Sequence, residues 1–117
     1  MPGIPQVYYV GLLAGHNDMD LLRTTRVGRD INRHRYTAAE MQLQVRRPVV
    51  QQLLALIEFR NTHPAFAGEF TLSSSEDETL VLSWRQGQHE AVLTVSFDTL
   101  AHELRCTQAD GFTTKSW

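Results

Sequence analysis

The residue pattern predicts an α+β fold, with loop and helical segments first and an antiparallel sheet after them. Three observations carry this. Apolar residues recur at helical spacing at Val49, Val50, Leu53, Leu54, Leu56, Ile57 and Phe59. Past Gly68 the apolar period drops to two, at Phe70 and Leu72, then at Leu80, Leu82 and Trp84. Charge divides at the same place. Residues 1–63 carry eight arginines against five acids, and residues 64–117 carry three basic residues against eight acids. The chain therefore reads as two segments, 1–63 and 64–117, joined near His63-Pro64.

Each element has its own local signal. Ile4-Pro5-Gln6-Val7-Tyr8-Tyr9-Val10 is a β-branched and aromatic run, expected as a strand buried on both faces, as parallel strands are. Gly11 to Tyr36 is expected to be a long polar loop, broken by Gly11, Gly15, Asn17-Asp18 and Gly28, with a helical turn near Met19–Arg23. Thr37-Ala38-Ala39-Glu40 has the capping-box spacing, so a short helix is expected over residues 38–45. Pro48 suits the first turn of a second helix, which Asn61-Thr62-His63-Pro64 should end. In the second segment Ser73-Ser74-Ser75-Glu76-Asp77-Glu78 reads as a polar turn and Gln86-Gly87-Gln88 as a hairpin tip. Apolar alternation at Val92 (or Ala91-Leu93), Val95 and Phe97, then at residues 102–107 and 112–117, brings the expected sheet to four or five strands.

Length and composition bound what such a chain does. The 117 residues give room for one ordinary core and exclude a complete (β/α)8 barrel, which needs roughly 250. With 42% apolar and 21% charged residues the chain is globular rather than disordered. A net charge of -2 argues against general nucleic-acid binding. No apolar run is long enough for a membrane partner, and no basic-then-apolar leader is visible. Cys106 is the one cysteine, so no internal disulfide forms, and a cytoplasmic setting is expected.

Most chemistry-bearing residues have a plain structural reading. The five histidines, His16, His34, His63, His89 and His102, lack metal-ligand spacing, and no metal is expected. His16-Asn17-Asp18-Met19-Asp20 opens like a calcium loop but lacks its later glycine and glutamate, so it reads as a turn. Cys106 has no base beside it and reads as a small core residue. Asp18, Asp20 and Asp30 do not define the opposed carboxyl pair of a glycosidase. Arg23, Arg26, Arg29, Arg33 and Arg35 concentrate in the long loop and could hold phosphate or carboxylate. The chain uses ten arginines and one lysine, so their abundance alone identifies no ligand.

Several separate motifs, in order, resemble one family. Pro2-Gly3-Ile4-Pro5-Gln6-Val7-Tyr8-Tyr9-Val10-Gly11 is similar to the eighth barrel strand of the α-amylase-type glycoside hydrolases. Leu12-Leu13-Ala14-Gly15-His16-Asn17-Asp18-Met19, Gly28-Arg29-Asp30-Ile31-Asn32-Arg33-His34, Arg47-Pro48-Val49-Val50 and Phe59-Arg60-Asn61-Thr62-His63-Pro64-Ala65-Phe66 resemble the sucrose phosphorylase subfamily, with its relatives acting on sucrose 6-phosphate or glucosylglycerate. The match covers most of residues 1–100.

The resemblance implies a C-terminal fragment. Residues 1–63 would be the last strand, long loop and helix of a truncated (β/α)8 barrel, and residues 64–117 the C-terminal antiparallel β domain. The parent would transfer an α-glucosyl group from a sucrose-type glucoside to phosphate, with retention, through a covalent glucosyl-enzyme. Its partners would be sugar and phosphate, with no organic cofactor. The catalytic carboxylates of the family come from earlier barrel strands, so this chain holds none of them and should be inactive alone. Arg29 matches the family arginine of the glucosyl subsite, and Arg33 and His34 share its motif as weaker substrate-binding candidates. Alternatives are an α-glucoside hydrolase, or a non-catalytic β module that packs on another protein. The apolar face at Val49, Leu53, Leu56 and Ile57, left without a barrel, also implies self-association as a homo-oligomer.

Overall fold

A computed structural model describes residues 5–75, 78–108 and 111–115. The chain divides into two compact units between Ile57 and Glu58.

The first unit is helical. Helix α1, Tyr9–Leu12, stands where the strand over Ile4–Val10 was expected; Pro5 to Tyr8 have no regular structure and Ile4 lies outside the described residues. A parallel strand buried on both faces exists only with hydrogen-bonded neighbours on each side. Among the described residues no strand pairs with this segment. Its backbone is satisfied locally instead, as Leu12 N–H donates to Tyr8 C=O (2.8 Å) and Leu13 N–H to Tyr9 C=O (3.0 Å). The residues after it are more ordered than a loop reading implies. Helix α2 spans Met19–Thr25, capped by the Asp18 carboxylate, which accepts from Leu21 N–H at 2.8 Å. A 3-10 turn follows at Gly28–Asn32.

Helix α3, Ala38–Val45, starts at the expected capping box. Thr37 Oγ1 accepts from Glu40 N–H (3.3 Å), and Glu40 Oε2 accepts from Thr37 N–H (2.7 Å). Thr37→Ala removes one half of that exchange. It is expected to cost about 1 kcal/mol, read as faster amide exchange over the first turn of α3. Helix α4, Pro48–Thr62, begins at the proline, as expected. Its Val50 is fully buried, while Val49 and Leu56 are exposed.

The second unit is a five-stranded antiparallel meander, β1 (Glu69–Ser75), β2 (Thr79–Gln86), β3 (His89–Ser96), β4 (His102–Gln108) and β5 (Gly111–Lys115), in that spatial order. Strand β1 runs through Ser75, so the serines expected in a polar turn extend the strand; Glu76 and Asp77 lie outside the described residues, as do Ser116 and Trp117. The turn between β2 and β3 is the expected one. Gly87 has φ +58°, the left-handed value that the first central position of a type II′ hairpin requires. Pairings Trp84↔Ala91, Leu82↔Leu93, Ala91↔Cys106 and Leu93↔Leu104 put these six side chains on one face of the sheet. The choice at β3 falls to Ala91 and Leu93, with Val92 on the other face.

That face carries the core. Phe59, Ala65, Ala91, Leu104 and Cys106 are buried together, flanked by Phe66, Trp84 and Leu93. A second 3-10 turn, Pro64–Ala67, seats Ala65 and Phe66 there. His63 anchors it. Its Nδ1 accepts from Ala65 N–H (3.3 Å) and its Nε2 faces Thr107 C=O (3.0 Å), so the proton sits on Nε2. Cys106 is a core residue, as expected, and burial pushes its thiol up, away from a reactive thiolate.

Candidate functional site

The candidate site lies in the helical unit, in the segment that runs from Gly28 to His34. Arg29 is on the 3-10 turn, exposed, and among the described residues no carboxylate is within ion-pair reach of it. Arg33 follows the turn, with its N–H donating to Asp30 C=O at 3.1 Å. It lines an open cavity of about 530 Å³ with Tyr8, Tyr9, Asp30 and Arg35. Arg23 is held by Asp20 at 2.9 Å on the surface. Arg26 ends α2 in a left-handed conformation.

His34 is the most connected of the candidates. It is half-buried, and its Nδ1 lies 3.0 Å from Asp18 Oδ2. Its Nε2 lies 3.6 Å from Glu40 Oε1. Its ring meets Tyr36 edge-on at 4.6 Å between centroids, and its carbonyl accepts from Tyr9 Oη at 2.9 Å. The imidazole is thus fixed between two carboxylates from distant parts of the chain. A hydrogen bond from Nδ1 to one carboxylate and a second carboxylate at ion-pair distance from Nε2 favour the charged ring.

The titrations follow. The hydrogen bond to Asp18 raises His34 above the ordinary imidazole value, with Glu40 adding to it. The Leu21 N–H, then His34, lower Asp18; the Thr37 N–H and hydroxyl, then His34, lower Glu40. A raised imidazole contributes stability fully present below about pH 6.5 and lost as pH rises through its folded value. Lowered carboxylates contribute stability present above about pH 4 and lost as pH falls through their folded values. The three groups hold together best in the mildly acidic window between those limits.

The same region forms an open groove of about 840 Å³, lined by His16, Asn17, Asp18, His34, Tyr36 and Arg47 among others. Where a turn over His16–Asp20 was expected, residues 16–18 have no regular structure and Met19-Asp20 open α2, and Asp18 does more than cap that helix. Arg47, on the Arg-Pro motif, ties this groove to the end of α1. Its guanidinium donates to Ala14 C=O (3.0 Å), Leu13 C=O (3.3 Å) and Gln44 Oε1 (2.8 Å). Local spacing contains no signal for Asp18 or Glu40 as partners of His34, because the first pair is separated by sixteen positions. Among the described residues no three His, Cys, Asp or Glu side chains converge as metal ligands do, and no helix is long and apolar enough to cross a membrane.

No family model matches the chain. Individual proteins do. A sucrose phosphorylase of Agrobacterium vitis is 57% identical over 96 residues, which cover 82% of this chain and 20% of that protein. A sucrose phosphorylase of Bifidobacterium adolescentis is 52% identical over 94 residues, 80% of this chain and 19% of that protein. The crystal structure of sucrose 6F-phosphate phosphorylase from Thermoanaerobacter thermosaccharolyticum superposes with a TM-score of 0.93 at 39% identity, over 99% of this chain and 24% of that one. The helical segment leading into a small antiparallel sheet is similar to the C-terminal region of that phosphorylase structure. The curated relatives that the chain matches at 46–57% identity are sucrose phosphorylases, a glucosylglycerol phosphorylase and a sucrose 6(F)-phosphate phosphorylase. It spans about a fifth of the length of the curated relatives it matches.

Proposed function

We propose that residues 1–117 are the C-terminal part of a sucrose phosphorylase-like enzyme, with residues 1–63 closing a catalytic barrel and residues 64–117 forming its C-terminal β domain. The observation that carries this is 57% identity to a sucrose phosphorylase together with a TM-score of 0.93 against a related phosphorylase. The whole enzyme would act on a sucrose-type α-glucoside in the cytoplasm. A carboxylate attacks the anomeric carbon while a carboxylic acid protonates the departing oxygen, giving a β-glucosyl-enzyme. Phosphate then attacks the same carbon, the carboxylate leaves, and α-glucose 1-phosphate is released. Two carboxyl groups supply this chemistry, with no metal or organic cofactor in the scheme.

Arg29 is the substrate-binding residue of this reading, lining the glucosyl subsite opposite an aspartate from an early barrel loop. Its exposure in this chain, with no carboxylate partner among the described residues, suits a group whose partner lies in the preceding portion. Purified residues 1–117 are expected to release no glucose 1-phosphate from sucrose, sucrose 6-phosphate or glucosylglycerate. Joined to the barrel portion of a relative, the same residues should support phosphate-dependent release. Turnover by the 117 residues alone overturns the reading of an incomplete site. Release of free glucose at a rate indifferent to phosphate identifies a hydrolase instead.

A further inference from the structure

The segment carrying Arg29 is anchored at two points, and both involve Asp18. Asp18 N–H donates to Ile31 C=O at 2.6 Å, inside the 3-10 turn. Asp18 Oδ2 faces His34 Nδ1 at the end of the segment. The second ring nitrogen of His34 faces Glu40 in the first turn of α3, and Glu40 is itself held by both the N–H and the hydroxyl of Thr37. Tyr9 grips the His34 carbonyl from α1. The short segment from Gly28 to His34 is thus suspended between the caps of α2 and α3.

We propose that His34 is a positioning residue: as an imidazolium clamped between Asp18 and Glu40, it holds the Gly28–His34 segment and sets where Arg29 meets the sugar. The inference rests on the reading of Arg29 as the glucosyl-subsite arginine. It assigns His34 no contact with substrate. Asp18 is hydrogen-bonded to Nδ1 and Glu40 stands at ion-pair distance from Nε2, so deprotonation of the ring removes the charge that attracts both carboxylates and loosens the anchor. Asp18, Glu40, Tyr36 and Tyr9 face His34 from α2, α3, the linking segment and α1, and Asp20, Arg23 and Arg47 share the groove. Asp18 and Glu40 are both lowered, so they stay charged on the alkaline side. His16 also lines the groove, so loosening on the alkaline side is assigned to His34 by its loss in His34→Gln and its persistence in His16→Gln.

Two measurements test this, one independent of activity. In the 117-residue chain, amide exchange is followed at Asp18 and Arg33, whose N–H groups bond to Ile31 and Asp30 carbonyls. His34→Ala should speed both by about tenfold or more, leaving the sheet amides unchanged. In the parent chain their protection, corrected for intrinsic rates, should fall as pH rises through the His34 titration. In His34→Gln, which cannot charge, it should not change with pH. The second measurement is a cycle of Arg29→Ala and His34→Ala in the barrel-joined enzyme, read as kcat/KM. If His34 acts through Arg29, each substitution costs less in the presence of the other. Unchanged exchange in His34→Ala, or additive losses with Arg29→Ala costly by itself, overturns the positioning role. Loosened exchange with Arg29→Ala harmless retains the clamp and instead overturns the reading of Arg29.

Discussion

Arg29→Ala, made in the enzyme formed by joining this chain to a relative's barrel, is expected to lower kcat/KM by roughly a hundred- to several-thousandfold. A guanidinium facing a carboxylate in a closed sugar pocket fixes the pocket wall and donates to sugar hydroxyls through a planar fork. On the proposed assignment of Arg29 to the glucosyl subsite, truncation would leave a partner carboxylate buried and unpaired, which costs about 3–5 kcal/mol. Expressed in the transition state, that cost is the loss of rate given above. Lys keeps the charge but not the fork, so Arg29→Lys should lose nearly as much. Arg26, three positions earlier at the exposed end of α2, is the control, and Arg26→Ala should change kcat/KM little. Retention of parental efficiency within a few-fold by Arg29→Ala would place Arg29 among the solvated arginines.

Gly68→Ala is expected to destabilise the sheet unit by about 3 kcal/mol or more, a fall of roughly 12–24 °C in Tm for a unit of this size. Gly68 sits between the Pro64–Ala67 turn and the first residue of β1, with an ordinary extended φ of -97°. The cause is space rather than conformation. A Cβ there would lie 1.9 Å from Arg85 C=O oxygen, 2.4 Å from its carbon and 2.8 Å from Gln86 Cα. These are backbone atoms of β2, which no rotamer change can move aside. Relief requires shifting β1 from β2 where Glu69 pairs with Arg85 and Phe70 with Trp84. Trp84 would lose its contacts with Phe66 (4.9 Å between centroids) and Phe70 (5.3 Å). Gly87 gives the contrast. It has a positive φ and nothing within 4 Å of its Cβ, so Gly87→Ala should cost only about 1 kcal/mol. Thermal melts of the two variants separate crowding from backbone strain, and equal losses would remove the close-approach explanation.

What the sequence determined by itself was local. Thr37 and Glu40 lie three positions apart, and their reciprocal bonds place the start of α3. Pro48 opens α4 because a first-turn residue needs no N–H partner. Gly87 marks the β2–β3 hairpin because its backbone alone decides the turn. The resemblance to sucrose phosphorylases was legible for a different reason, since ordered motifs such as Gly28–His34 are recognisable whatever their conformation. Tertiary structure decided the rest. Ile4–Val10 has strand composition, yet a strand is a relation between segments, and without paired neighbours Tyr9–Leu12 closes its hydrogen bonds as a helix. Gly68 looks like any breaker until β2 is folded against it. His34 is one histidine among five, and only folding brings Asp18, sixteen residues earlier, and the carboxylate of Glu40 to its two nitrogens. Hydrogen bonds and close contacts act over a few ångströms of space, so a pattern confined to neighbours along the chain shows them only when those neighbours are also the partners.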